Sequence, residues 1–183
     1  EFLNIEKINL VGFSIGSLIA LDFAADFQKK LNSLTLIATT YKRTEKQRQE
    51  VIDRVNLAKL NKPISQLALK RWFTNKYLEK NPNIYEEFTK ILTKNYDHQK
   101  NFIKAYELFA NYKDDIEKIK KIDTKTLVMT GSLDPGSTPE MSKMLSNDLN
   151  NSSYIEINDG KHLCSIECSD DVNNTIKDHI QNA

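Results

Sequence analysis

The sequence predicts an α/β protein: a parallel sheet with an inserted helical cap. Three observations predict it. At Ile8 to Ala20, I-N-L-V-G-F-S-I-G-S-L-I-A, a short apolar run passes through a G-x-S-x-G turn into a helix. Two further apolar, partly β-branched runs, S-L-T-L-I-A from Ser33 and K-T-L-V-M-T-G from Lys125, stand on either side of a long stretch that reads as helix only. Asp134 and His162 each lie in a loop directly after a predicted strand, which brings both to the sheet edge where Ser14 is expected.

Taken in order, Ile5 to Val11 reads as a buried parallel strand. Ser17 to Phe27 follows as a helix with Leu18, Leu21, Ala24 and Ala25 on its apolar side. Leu34 to Ala38 is the second strand, and strand, helix and strand together make a right-handed parallel crossover. From Tyr41 the pattern turns helical: Lys46 to Asn61, Ile64 to Phe73, Asn83 to Thr93 and Asp97 to Ala110, with breaks at Pro63 and Pro82. Ile84, Phe88, Ile91 and Leu92 keep helical spacing, as do Phe102, Ala105, Tyr106 and Phe109. The sheet pattern resumes at Thr126 to Thr130, followed by a helix at Met141 to Leu149, a strand at Ser153 to Ile157 and a closing helix at Ser169 to Ile180. This divides the chain into 1–40 (core with the serine turn), 41–121 (helical cap) and 122–183 (core with the acid and histidine loops).

The 183 residues suit one domain with a real core. A formal net charge of +1 argues against a nucleic-acid partner. The charge is unevenly placed: from Lys42 to Lys121 basic residues outnumber acidic ones by 19 to 11, and elsewhere acidic residues prevail by 14 to 7. No continuous apolar stretch is long enough to cross a bilayer, so no membrane partner is expected. Cys164 and Cys168 form no disulfide framework, and a cytoplasmic location is the expectation. With His162 they match no structural zinc spacing; no metal and no cofactor are expected. The chain starts at Glu1 and enters a strand almost at once, which reads as an internal piece of something longer.

The chemistry is read from three positions. Gly12 and Gly16 leave room for a sharp strand-to-helix turn that presents the Ser14 hydroxyl, and the Ile15 N–H at the helix start is a candidate oxyanion donor. A serine hydroxyl needs a base to become a nucleophile. His162, in N-D-G-K-H-L, is the candidate base; His98 and His179 lie in helices and are poorly placed for that task. Asp134, in L-D-P-G, is the candidate acid, although the same tetrapeptide also favours a turn. The glycines are no dinucleotide loop, since the next strand ends in Ala38-Thr39-Thr40 with no carboxylate.

The order Ser, Asp, His on such a framework resembles the α/β-hydrolase family, and within it the 3-oxoadipate enol-lactonase-like group. The matching stretches are Asn4 to Gly16, R-W-F-T at Arg71 to Thr74, Lys125 to Met141, and I-N-D-G-K-H-L at Ile157 to Leu163. The resemblance implies the C-terminal part of that fold, with Ser14 as nucleophile, Asp134 as acid and His162 as base. It also implies Trp72 as a candidate pocket wall, with packing inside the cap as its alternative role. Two residues depart from the group's pattern: Phe13 stands where a histidine is usual before the nucleophile, and Lys161 where a small residue is usual before the histidine.

In that fold further strands precede the serine turn, and a loop among them gives the second oxyanion N–H. The expectation is therefore a serine hydrolase for a small carboxylic ester or lactone that lacks one donor, worth about 3 kcal/mol. Alternatives on the same fold are a carbon–carbon bond hydrolase or a perhydrolase, and outside catalysis a fragment or interaction module. The strand at 5–11 would keep an open side. It would pair there with a second copy or with a complementing polypeptide, or be covered by rearranged strands.

Overall fold

The computed structural model describes residues 4–60, 65–93 and 96–183. Two compact units divide the chain. One comprises Glu1–Lys42 with Asp114–Ala183; the other is Arg43–Lys113.

The first unit is built on a parallel sheet. Strands β1 (Ile8–Phe13), β2 (Leu31–Ile37), β3 (Thr126–Gly131) and β4 (Ser152–Ile157) lie in the order β1-β2-β3-β4, every neighbouring pair parallel. Helix α1 (Ile15–Phe27) and a single 3₁₀ turn join β1 to β2. β2 and β3 are almost wholly buried, as central parallel strands covered on both faces must be. Alternation along the strands sorts the core into two layers. Leu34, Leu36 and Val128 face one cluster with Leu21 and Ala24 of α1 and with Met141 and Leu145 of α8 (Pro139–Asp148). Ile37, Leu127 and Met129 face the other, with Ile157, Cys164 and Val172; these last two lie on α9 (Cys164–Glu167) and α10 (Ser169–Gln181).

β1 runs three residues later at its start and two at its end than the expected 5–11. Pairing with β2 sets its limits: Ile8 meets Leu31 and Phe13 meets Ile37, whereas Ile5 is 54% exposed. β1 is the sheet's edge among the described residues, and Ile8 and Val11 stand exposed there rather than buried.

The second unit is all helix: α2 (Glu45–Lys59), α3 (Ser65–Trp72), α4 (Asn75–Lys80), α5 (Pro82–Thr93) and α6 (Tyr96–Asn111). α2 starts at a capping box, with Thr44 and Gln47 satisfying each other's free backbone N–H groups. It packs on α6 through Val51, Val55, Ala110, Tyr106 and Phe109. The buried Arg43 donates to the carbonyls of Phe109 and Tyr112, and Arg48 donates to Tyr112 as well, so two cations meet the C-terminal end of α6. The expected helix ends at Asn61 and Ile64, the break at Pro63 and the His98 side chain lie outside the described residues.

The helical unit ends at Lys113, not at the expected 121. Short α7 (Ile116–Ile119), capped by Asp115, follows, and its Ile119 together with Ile122 is buried in the sheet cluster with Leu21 and Leu34. A helix-only pattern alone places these residues with the cap, but they pack on the sheet. No described helix is long and apolar enough to cross a membrane.

Candidate active site

Three loops at the C-terminal ends of three strands assemble the site. Ser14 follows β1 immediately, with φ 54° and ψ −120°. A non-glycine residue rarely takes such a conformation, and here it is held on both sides. The Ser14 N–H donates to Ile37 O at 2.9 Å, and the Ser14 carbonyl accepts from Ser17 N–H at 2.9 Å and from the Ser17 hydroxyl. Ile15 opens α1, so its N–H belongs to the first turn, where helices leave donors unused.

The two turn glycines differ. A Cβ on Gly12 would lie 2.5 Å from Gly16 O and 2.7 Å from Ser17 Cα, so only glycine lets α1 fold back this closely on β1. A Cβ on Gly16 would meet no atom within 4 Å, and the expectation that both positions exclude a side chain is corrected there.

Asp134 lies three residues beyond β3 and is 3% exposed. Its two oxygens do separate things. Oδ1 accepts from Gly136 N–H at 2.8 Å and Ser137 N–H at 3.0 Å, closing the turn that L-D-P-G favours. Oδ2 lies 2.7 Å from His162 Nδ1. The turn thus fixes the carboxylate that faces the histidine. His162, in the loop between β4 and α9, turns its other nitrogen to the serine, with Nε2 3.0 Å from Ser14 Oγ. With the ring proton on Nδ1, Nε2 accepts from the serine hydroxyl. Asp134, His162 and Ser14 then form one continuous hydrogen-bonded run, an arrangement that can activate a serine oxygen.

The acid and histidine loops are tied to each other by backbone. Leu133 N–H donates to Gly160 O and Ser132 N–H to Ile157 O, both at 2.9 Å. Asp159, with φ 59°, donates its N–H to Ser132 Oγ at 3.0 Å. A Cβ on Gly131 would come within 2.3 Å of Gly160 O, and one on Gly160 within 2.8 Å of Cys164 Cβ. Sequence reasoning missed this crossing of Gly131 and Gly160. Its signal was present: each glycine stands at or just beyond a predicted strand end.

Burial, with the charge of Asp134 behind it, pushes the Cys164 thiol up to about 12, and burial also raises Cys168. His179 is buried on α10 with Nε2 3.2 Å from Leu34 O, away from the three loops. Trp72 lies in the helical unit, its ring edge-on to Phe88 at 6.2 Å between centroids. Among the described residues no group of three or more His, Cys, Asp or Glu side chains could hold a metal ion.

A family model described as alpha/beta hydrolase fold matches residues 1–167. The chain belongs to that family. Within the alpha/beta hydrolases it is similar to (E)-2-((N-methylformamido)methylene)succinate hydrolase of Acinetobacter baylyi, 28% identical over 96% of this chain and 65% of that protein. It is also similar to 3-oxoadipate enol-lactonase 2 of the same organism, 25% identical over 91% of this chain and 61% of the relative. The chain therefore spans less than two thirds of the length of either relative. Among solved structures, the enol-lactonase of Burkholderia xenovorans superimposes with a TM-score of 0.87 at 22% identity, covering 98% of this chain and 67% of that one. At that identity the likeness speaks for the fold alone.

Proposed function

We propose that the chain carries the reacting residues of a serine hydrolase that cleaves a small carboxylic ester or lactone through an acyl-enzyme. The observation that carries this reading is the hydrogen-bonded run from Asp134 through His162 to Ser14. Ser14 Oγ attacks the substrate carbonyl carbon while His162 Nε2 takes the hydroxyl proton. Asp134 keeps Nδ1 protonated and faces the imidazolium as it forms. The carbonyl electrons move onto oxygen, where the Ile15 N–H donates. The intermediate collapses, His162 protonates the departing alcohol, and the acyl group stays on Ser14. Water, deprotonated by His162, then releases the acid. In a lactone the departing alcohol remains part of the acyl group.

The names of the two relatives, a hydrolase of a substituted succinate and an enol-lactonase, support a small acidic substrate. The excess of basic residues between Lys42 and Lys121 would favour its approach. We keep Trp72 as the candidate specificity residue of the helical unit, on the R-W-F-T resemblance. The free edge of β1, with Ile8 and Val11 exposed, is read as a pairing surface for a second copy or a complementing polypeptide. Of these, only a polypeptide that carries the preceding strands would bring the second oxyanion donor. Both cysteines are free thiols, which fits a reducing, cytoplasmic compartment.

Hydrolysis of phenyl acetate and of an unsaturated γ-lactone, each followed with the chain alone and after Ser14→Ala, tests the reading. Turnover that Ser14→Ala abolishes supports it. Turnover unchanged by Ser14→Ala removes Ser14 from the reaction.

A further inference from the structure

We propose that Phe13 is a positioning residue for His162, holding the imidazole in the plane that its hydrogen bonds to Asp134 and Ser14 require. The inference rests on the reading of His162 as the base, and it concerns the residue at which this chain departs from the enol-lactonase-like pattern.

Phe13 is the last residue of β1, opposite Ile37 of β2, and precedes Ser14 in the chain. Its ring is part of the cluster formed by Ile37, Ala38, Leu127, Met129 and Ile157, so a packed strand end sets its position. The ring centroid is 5.3 Å from that of His162, with 49° between the planes. His162 lies in the loop between β4 and α9, whose backbone is tied to the acid loop, so what is left to side-chain neighbours is the tilt of its ring. Its two side-chain hydrogen bonds, 2.7 Å to Asp134 and 3.0 Å to Ser14, both act near the imidazole plane. They fix where the nitrogens point and resist little when the ring tilts out of that plane. Phe13 supplies the missing restraint from the side.

The arrangement couples two requirements within one dipeptide. Ser14 presents the hydroxyl, and its neighbour braces the ring that accepts the proton. Hydroxyl and brace thus share the end of one strand. When the imidazole carries a second proton, an aromatic ring within about 6 Å adds electrostatic attraction to the cation. A leucine here would fill similar space but give a narrower, more mobile wall. A tyrosine would keep the aromatic plane.

The test compares Phe13→Leu and Phe13→Tyr with the parent chain by three readouts: melting temperature, the NMR resonance of the His162 Nδ1 proton, and the rate at which a fluorophosphonate labels Ser14. With Phe13→Leu the melting temperature should stay near that of the parent while the Nδ1 proton signal broadens through exchange with water. Labelling should slow about tenfold or more, as expected when a base is displaced by a fraction of an ångström. Phe13→Tyr should restore both signal and rate. A Phe13→Leu protein with an unchanged Nδ1 resonance and rate overturns the proposal. So does loss of signal, rate and melting temperature together in both variants, which would make Phe13 core packing and nothing more. If the parent does not label at all, the hydrolase reading fails, and the Nδ1 resonance still decides the role of Phe13.

Discussion

The sheet unit and the helical unit hold their parts in different ways. In the sheet unit the site loops are fixed by backbone. Leu133 N–H reaches Gly160 O, Ser14 N–H reaches Ile37 O, and Gly131 touches Gly160 closely enough to exclude a Cβ. In the helical unit side chains carry the organisation. Arg43 lies over the Phe109 ring and donates to two carbonyls, and Phe73, Tyr77 and Phe88 pack ring on ring. Backbone contacts leave no slack, so a substitution there moves the loops that carry Ser14, Asp134 and His162. Side-chain contacts in the helical unit can be trimmed with a local loss of stability.

The largest expected effect breaks the backbone side of this contrast. In Gly131→Ala the new methyl would lie 2.3 Å from Gly160 O and 2.5 Å from Lys161 O, so the acid and histidine loops must separate. Stability should fall by about 2 kcal/mol or more, and phosphonate labelling of Ser14 should drop at least about a hundredfold. Gly16→Ala is the control, since its methyl meets nothing within 4 Å. Standing in the first turn of α1, it should shift stability by no more than about 0.5 kcal/mol, read as a near-constant midpoint in urea.

The helical side is sharpened by Arg43→Met, which keeps an apolar stem on Phe109 and removes the donors. The carbonyls of Phe109 and Tyr112 lose their shared cation, at about 1–3 kcal/mol. Hydrogen exchange in the last turn of α6 should accelerate while the labelling rate of Ser14 holds.

A smaller effect depends on pH. Burial, with the charge of Lys125 acting in the same direction, lowers the His179 pKa below its usual 6.5 despite the opposing bond to Leu34 O. The unfolded chain then binds a proton that the fold refuses. Stability should decline as pH falls below about 6.5 and be fully regained above it. Melting curves between pH 5 and 7.5 should show this slope, and His179→Gln should flatten it.

How much of this was legible in the sequence follows from the same contrast. Ser14, Asp134 and His162 could be found because each stands a few residues beyond a strand, and a parallel sheet gathers such loops at one edge. What the loops do to one another was not legible. The bracing of His162 by Phe13 and the crossing of Gly131 with Gly160 join residues far apart in sequence. The L-D-P-G stretch offered Asp134 a turn or a place beside the histidine, and its two oxygens divide these contacts: Oδ1 closes the turn and Oδ2 faces His162 Nδ1. The start of β1 was misplaced because apolar content marks Ile5, whereas pairing with Leu31 decides the strand. The cap boundary expected at 121 lies beyond Lys113 because a helix-only pattern does not reveal which unit its residues pack on.

The central claim is that His162, held by Asp134, makes Ser14 a nucleophile. Mass-spectrometric mapping of a fluorophosphonate adduct tests it most directly in the parent, His162→Ala and Asp134→Asn chains. An adduct on Ser14 is expected in the parent, with near-complete loss in His162→Ala and slower labelling of the same residue in Asp134→Asn. An adduct on any other residue, or one on Ser14 that forms equally fast without His162, would contradict it.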